Sequence, residues 1–340
     1  MKIRFEANDC HCYLFDYSTG KSIVLGDCNE FVRVKGPNLL DVSITNRCNK
    51  CCDFCYRHSK PLGEDITLED YQIVIDNAKE CGVQQIAIGG GEPTIHPNFC
   101  EILEMTRING IIPNYSTNGQ NLTDKILRYT KKNCGAVAIS VYEEIDEYRE
   151  IIKKIVSYGI KVNLHLIIRA DKMKKYTSFL RNPPEWFADL NALIFLNYKP
   201  ANGNDSLCLK KCDSRTIEDF FDAISVFDLC GIGFDTCSAS YVCKYLDVDS
   251  CYYDWCEGAR KSAYINEKLE VNPCSFYKSG VDSLRNNSLK WIWDNSQAFV
   301  SHRQAIALTK GRCEKSGDCH ATCPLYPISV CDSKDTLTNT

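Results

Sequence analysis

The period of apolar and polar positions changes twice along this chain. In residues 1–40 short runs alternate: Cys12-Tyr13-Leu14-Phe15-Asp16-Tyr17 and Ile23-Val24-Leu25 flank Ser18-Thr19-Gly20-Lys21, the pattern of a β-hairpin around a turn. Some 40 residues cannot bury a core of their own, so a β-rich start is expected here and not an independent domain. From 41 to about 235 short apolar runs are followed by amphipathic stretches of helix length. Strands are expected at Leu39–Ile44, Gln85–Ile88, Ile111–Tyr115, Ala136–Val141, Val162–Ile168 and Ala192–Leu196. Helices are expected at Thr67–Cys81, Pro97–Ile108, Leu122–Lys131, Asp146–Tyr158 and Ile217–Leu229. In the first of these, Leu68, Tyr71, Ile75 and Ala78 share one face. Six strands alternating with helices argue for parallel βα units. In such folds ligands sit in the loops that follow the strand ends. Beyond about 236 the alternation stops, leaving loops and one helix near Ser288–Ala307. A region this poor in periodicity needs another source of order, and metal–ligand bonding can supply about 10 kcal/mol of folding free energy.

Composition changes that picture through one residue type. The 340 residues are 44% apolar and 25% charged, with 40 Lys plus Arg against 44 Asp plus Glu, a net charge of −4. This is globular composition without the basic excess of a nucleic-acid binder. Cysteine is the outlier, with 22 residues beside only 3 methionines. The first residues, Met1-Lys2-Ile3-Arg4-Phe5-Glu6, carry charge early, so a secretory signal is not expected. No apolar run approaches the roughly 18 residues of a membrane span. A cytosolic, soluble protein is expected, where thiols serve metals or catalysis more than disulfides. The cysteines are also clustered: four lie between 48 and 55, none between Cys134 and Cys208, and seven from Cys251 to Cys331. Ligands that meet at one small inorganic body cluster in this way.

The stretch Thr45-Asn46-Arg47-Cys48-Asn49-Lys50-Cys51-Cys52-Asp53-Phe54-Cys55-Tyr56 follows the first expected strand directly. Its spacing is Cys-x3-Cys-x2-Cys. Three thiolates on one loop can hold three irons of a [4Fe–4S] cube and leave the fourth open to a substrate or cofactor. Cys51 to Cys55 is a rival x3 register, but only the Cys48 register adds a third ligand at x2. A zinc loop completed by His58, or plain buried thiols, is the competing reading. Farther on, Ile86-Ala87-Ile88-Gly89-Gly90-Gly91-Glu92-Pro93 ends the second strand. A glycine triplet there allows close backbone approach to a ligand, or simply makes a tight βα turn. Ser116-Thr117-Asn118-Gly119 follows the third strand. On the fifth, Asn163 and His165 are two apart and share a face. His96 reads as a residue at the start of a helix and not as a catalyst.

The cysteine loop and the Gly-Gly-Glu-Pro turn together resemble the signature of the radical S-adenosylmethionine (SAM) superfamily. The resemblance implies a partial (β/α)6 TIM-like barrel in which Cys48, Cys52 and Cys55 hold the cluster. The free iron chelates the amino and carboxylate groups of SAM, and one electron yields a 5′-deoxyadenosyl radical. Phe54 matches the family's adenine-facing position. Gly90, Gly91 and Glu92 match the turn that receives the SAM ammonium. Ser116, Asn118 and Ser140 match positions that contact SAM polar groups; Asn163 and His165 on the fifth strand are candidates for the same role and Arg169 for pairing with the SAM carboxylate, with a satisfied barrel-interior group as the alternative reading of each. An electron donor such as flavodoxin or ferredoxin is implied, with no nucleic acid and no membrane partner.

The C-terminal cysteines resemble the SPASM or twitch extension of that superfamily, which carries auxiliary [4Fe–4S] clusters. Cys256 to Cys274 resembles its β-hairpin, and the helix near 288–307, with Trp291-Ile292-Trp293-Asp294 and Arg303, the helix before the last cysteine group. By that resemblance Cys251, Cys256, Cys274 and Cys323 hold one auxiliary cluster, and Cys313, Cys319 and Cys331 a second. The full pattern has a further cysteine where this chain has Lys310. Seven thiolates are one short of two cubes, so one or two clusters stay open, as does a fourth ligand such as His320; a zinc-binding tail is the plainer alternative. Cys237, in Asp235-Thr236-Cys237 at the end of the barrel region, is a candidate hydrogen-atom donor. Cysteines 10, 12, 28, 51, 81, 100, 134, 208, 212, 230 and 243 read as small buried hydrophobes.

The expected organisation is a short N-terminal β-hairpin over 1–40, the radical SAM barrel over 41–235 and a Cys-rich auxiliary-cluster domain over 236–340. Relatives with such a tail mostly modify peptides or proteins by crosslinking, epimerisation or oxidation. A radical SAM oxidoreductase or maturase of this kind is expected, with a small-molecule natural product or cofactor precursor as the alternative substrate and a non-catalytic Fe–S or zinc protein as the third reading. Forty N-terminal residues are too few for the leader-binding module of roughly 80 residues that many peptide modifiers carry.

Overall fold

The computed structural model describes residues 3–7, 11–17, 21–26, 33–248, 256–278, 280–310 and 323–326. It forms two compact units, one of Met1–Asn163 with Gly258–Arg303 and one of Leu164–Glu257 with Gln304–Thr340.

The first unit opens with β1 (Ile3–Ala7), β2 (His11–Asp16) and β3 (Lys21–Gly26), an antiparallel sheet in the order β1-β2-β3. The turn joining Asp16 to Lys21 is the expected hairpin, and β1 is an addition. Then come β4 (Leu39–Ser43), α1 (Leu68–Cys81), β5 (Gln85–Gly89), α2 (Phe99–Ile108), β6 (Ile112–Thr117), α3 (Asp124–Asn133), β7 (Val137–Ser140) and α4 (Arg149–Ser157). β4 to β7 pair in parallel, each with the next, as βα repeats require. On one face of these strands Leu40, Val42, Ile86, Ile88 and Ile139 are buried, as are Tyr71, Val74, Ile75, Ile102 and Leu103 of α1 and α2. On the opposite face Asp41, Ala87 and Asn114 fall in one register and are half-buried.

Sequence chemistry sets the helix ends. Thr67 caps α1 by accepting from the Asp70 N–H at 3.0 Å, and Gly82 ends it with φ 73°. α2 starts two residues later than expected: His96 Nδ1 accepts from the Asn98 N–H at 3.1 Å, and its Nε2 lies 2.9 Å from the Ile66 carbonyl. His96 therefore organises the helix start.

β8 (Val162–Ile168) leads into the second unit, with α5 (Met173–Arg181), β9 (Ala192–Asn197), α6 (Ser214–Val226), β10 (Gly231–Phe234) and α7 (Ala239–Tyr245). β9 and β10 are parallel, Ala192 facing Gly231 and Phe195 facing Phe234. Their core is aromatic, with Phe195 edge-on to Phe220 at 5.2 Å and Phe221 stacked on Phe234 at 5.9 Å.

The return to the first unit carries the β-hairpin that the resemblance implies between Cys256 and Cys274, where periodicity alone predicts loops. β11 (Ser262–Ile265) and β12 (Glu270–Asn272) form an antiparallel hairpin, β13 (Asp282–Ser283) pairs with β12, and β11 runs parallel to β4. Asn266 builds the hairpin turn, its Oδ1 accepting from the N–H groups of Lys268 and Glu270 at 3.0 Å each. The expected helix is two, α8 (Leu289–Asn295) and α9 (Gln297–Lys310), because Ser296 takes an extended ψ of 129° between them. The architecture is α/β with parallel strands and outer helices, the partial-barrel class expected. Among the described residues no helix is long and apolar enough to cross a membrane.

Candidate active site

Parallel registry brings the C-terminal ends of β4 to β7 into line, Ser43 beside Gly89 and Thr117 beside Ile139. The segments that follow these four ends carry the expected site. The cysteine loop leaves β4 through a closed neck. Arg47 grips Asp65 with Nε at 2.9 Å and a terminal nitrogen at 2.7 Å, and Thr45 Oγ1 donates to the same carboxylate at 2.6 Å. Backbone bonds from Asn46 to Glu64 and from Cys48 to Lys60, both 2.8 Å, complete the closure.

Between these anchors Cys48, Cys52 and Cys55 are half-buried, whereas Cys51 is exposed. That arrangement favours the Cys48 register. Burial raises the Cys48 thiol, with the charges of Glu92 and Cys55 adding to it. The Cys52 thiol is pushed to about 11, first by burial and then by Cys55 and Cys48. The three sulfurs are thus electrostatic neighbours, and the raised Cys48 and Cys52 thiols give up their protons only to a metal. The Lys50 N–H lies 3.4 Å from Cys48 Sγ, a donor of the kind that tunes cluster sulfurs. His58 is exposed on the loop's far shoulder at φ 52°. Among the described residues no three His, Cys, Asp or Glu side chains converge on a point that one metal ion could occupy. The donor set of three thiols spread over one pinned loop fits a polynuclear cluster.

The glycine triplet has a structural reason beyond ligand access. A Cβ on Gly90, at φ 131°, would sit 2.2 Å from the Thr45 carbonyl oxygen, and one on Gly91 would sit 1.9 Å from that of Arg47. Gly91 and Glu92 donate to those same carbonyls at 2.8 Å. The turn therefore lies directly against the root of the cysteine loop. Gly89 has open space where its Cβ would be.

Glu92 is buried and accepts four hydrogen bonds. Oε1 receives the Thr94 N–H at 3.1 Å and the hydroxyls of Thr94 and Thr117 at 2.6 Å each; Oε2 receives the Asn118 N–H at 2.7 Å. Burial raises its pKa and these donors oppose the rise. Its carboxylate clamps the β5 turn to the β6 turn. Asn118 extends the clamp, donating to Asn49 Oδ1 of the cysteine loop at 2.8 Å. Ser116 and Ser140 are half-buried on β6 and β7, and Ser140 bonds the Tyr142 hydroxyl.

Sequence reasoning missed three partners. Tyr142 sits two residues beyond β7 with its ring 5.6 Å from that of Phe54 and 5.6 Å from Lys50 Nζ. Lys50 also pairs with Glu143. Arg57 is ion-paired with Glu267 in the β11–β12 turn and donates to the Tyr264 hydroxyl at 2.5 Å, tying the far side of the loop to the hairpin. The position of Tyr142-Glu143 just past a strand end was the available signal.

Asn163 is half-buried on β8. In the second unit, His165 is driven down to about 4 by burial, against the opposing charge of Asp235, so it is neutral at pH 7. Arg169 forks onto Asp171 at 3.0 and 2.9 Å. Cys237 lies in the short turn after β10, where its thiol is hydrogen-bonded to Cys323. Cys274, in the first unit, stands two residues beyond β12. Cys251, Cys313, Cys319 and Cys331 lie outside the described residues, as does His320.

The chain resembles known proteins in sequence and in fold. The model of the radical SAM superfamily matches residues 42–180. A probable GTP 3′,8-cyclase of Methanocaldococcus jannaschii is 34% identical over 129 residues, 35% of this chain and 40% of that protein. Mycofactocin maturase MftC of Mycobacterium ulcerans is 27% identical over 128 residues, 37% of this chain and 35% of that protein. The chain thus spans less than half the length of either curated relative. Streptococcus suis SuiB, crystallised with S-adenosylmethionine, superposes with TM-score 0.71 at 14% identity over 97% of this chain and 98% of that one. Another SuiB crystal, bound to precursor peptide SuiA, gives 0.67 at 13% over 88% and 89%. These structural likenesses establish the fold. The matched segment spans the cysteine loop, both turns and β4 to β7, so residues 42–180 form a radical SAM domain, of a family whose cofactors are a [4Fe–4S] cluster and SAM.

Proposed function

We propose that this protein reductively cleaves SAM and uses the radical formed to take a hydrogen atom from a peptide or protein, as an oxidoreductase or maturase. The observation that carries the reading is the junction of three loops. The root of the Cys48–Cys55 loop is hydrogen-bonded to Gly91 and Glu92, and Glu92 in turn holds Thr117 and Asn118. Such a junction fixes three thiols beside a backbone turn with open space at Gly89. A cluster held there supplies one electron to the sulfonium of SAM. Cys48, Cys52 and Cys55 would hold it, and the carbonyls of the glycine turn would accept from the SAM ammonium. Phe54 and Tyr142 offer an aromatic wall for the adenine, and Ser116, Asn118, Ser140 and Asn163 offer polar contacts. The Cys-rich C-terminal region would hold one or two auxiliary clusters, with a flavodoxin or ferredoxin as electron source in the cytosol.

The peptide reading draws on MftC, on SuiB with its precursor peptide, and on a fold likeness that extends over nearly the whole chain. The resemblance in sequence to a GTP 3′,8-cyclase favours a second reading, a small-molecule substrate. Anaerobic reconstitution, reduction and SAM should give 5′-deoxyadenosine, and the joint variant Cys48→Ala, Cys52→Ala, Cys55→Ala should give none. Cleavage by that variant would refute the site. Incubation with a short peptide encoded beside the gene should alter the peptide's mass and carry deuterium from it into deoxyadenosine. Turnover of GTP in its place would establish the second reading.

A further inference from the structure

Around β4 and the hairpin beside it stand three charged side chains, and only two of them are matched. Arg57, two residues past Cys55, is ion-paired with Glu267, and its Nη1 donates to the Tyr264 hydroxyl at 2.5 Å. Glu267 is buried in the β11–β12 turn and also accepts from Ser43 Oγ at 3.1 Å. Asp41 is the third. Parallel pairing sets it level with Tyr264 on β11 and with Ala87 on β5, so the three side chains share the face opposite the apolar one. Asp41 is half-buried, and among the described residues no hydrogen bond reaches its carboxylate. The Nε–H of Arg57 is buried and has no acceptor there either.

Burial raises the Asp41 carboxyl to about 6, so at pH 7 it is ionised at a cost that the Arg57 charge offsets only in part. A neutral side chain would be more stable in its place, and a carboxylate held against stability marks a place for a ligand. Two residues farther along β5, a rise of about 7 Å, a Cβ on Gly89 would meet nothing within 4 Å. Asp41 thus stands one layer below the open turn that the proposed function gives to SAM, within reach of a substrate lying against it. An anionic group would find Arg57 already taken by Glu267 and would meet Asp41 as a like charge. We propose that Asp41 binds a primary ammonium group of the substrate, forming the ion pair that the free protein lacks, while the Arg57 Nε–H offers a donor to a carbonyl of the same molecule. The inference rests on the proposed function for where the substrate lies, and adds the group by which it is held.

Calorimetric titration of the anaerobically reconstituted full chain, with SAM present, tests it with three amidated pentapeptides. The first is acetylated Ala-Ala-Lys-Ala-Ala, the second the same peptide with norleucine for lysine, and the third the norleucine peptide with its N-terminus free. Wild type should bind the first or the third about tenfold tighter than the second, which has no ammonium, and which of the two it prefers tells a side-chain ammonium from a terminal one. Asp41→Asn should bind all three alike, and Asp41→Glu should keep part of the preference. Because Asp41→Asn removes a carboxylate that costs stability, loss of the preference there is not loss of the fold. Equal binding of the three peptides by wild type, or a preference that survives in Asp41→Asn, overturns the proposal. The electron paramagnetic resonance signal of reduced wild type separates the two levels. If it responds to SAM while the peptides bind alike, only the Asp41 assignment falls; if it ignores SAM, the proposed function falls and the assignment with it.

Discussion

Two groups of cysteines in this chain are held in different ways. Cys48, Cys52 and Cys55 lie within eight residues, and their loop is positioned by backbone: a neck closed by Arg47 and Asp65, and a glycine turn pressed against Thr45 and Arg47. Cys237 and Cys323 come from distant segments of the second unit, where the Cys237 thiol is hydrogen-bonded to Cys323 and the backbone N–H groups of Leu325 and Tyr326 also bond the Cys323 sulfur. The first arrangement keeps its thiols half-buried on one pinned loop, and the second joins two free thiols by a hydrogen bond.

The sharpest way to break the contrast is at the glycine turn. Gly91→Ala would drive a methyl group into the Arg47 carbonyl, while Gly89→Ala meets nothing within 4 Å. Gly91→Ala should lose binding of the first cluster and SAM cleavage, at a cost in stability of about 3 kcal/mol. Gly89→Ala should fold and bind iron as wild type does. Iron counts and denaturation midpoints on both decide it, and equal behaviour would contradict the docking of the turn on the loop root.

Glu92→Ala is the next largest. It strands the donors of Thr94, Thr117 and Asn118 in a buried place and should destabilise the first unit by about 3–5 kcal/mol, measured by denaturant titration.

A smaller effect concerns Asp41, whose carboxyl is raised from 3.8 to about 6 by burial, with the Arg57 charge opposing. Protonation is easier in the folded state, so its contribution is fully favourable below about 3.8 and is lost as pH rises through about 6. Asp41→Asn should therefore raise stability at pH 7 by up to about 3 kcal/mol and change nothing at pH 3.5. An advantage that grows toward acid would contradict the assigned direction.

The same contrast explains what the sequence could show. The cysteine loop was legible because its ligands are close in number, and β4 to β8 because apolar runs of four to seven residues lie between amphipathic helices. α5 was missed: its N-cap, Lys172, makes no side-chain cap hydrogen bond, and the segment before it mixes Arg169, Ala170 and Asp171 with no start signal. β10, Gly-Ile-Gly-Phe, has two glycines in four residues and no strand signal. β11 pairs with β4, some 220 residues away, and periodicity carries no information about that partner. Glu92 reads as a partner for SAM from its place in a motif; two of its four hydrogen bonds come from Thr117 and Asn118 of another turn. Cys237 and Cys323 are brought together only by folding.

The most direct test is electron paramagnetic resonance of the anaerobically reconstituted full chain, recorded after reduction with and without SAM. The account predicts a [4Fe–4S] signal that changes on adding SAM and disappears when Cys48, Cys52 and Cys55 are replaced. A spectrum that ignores SAM, or a SAM-responsive signal that survives the loss of those three thiols, would contradict it.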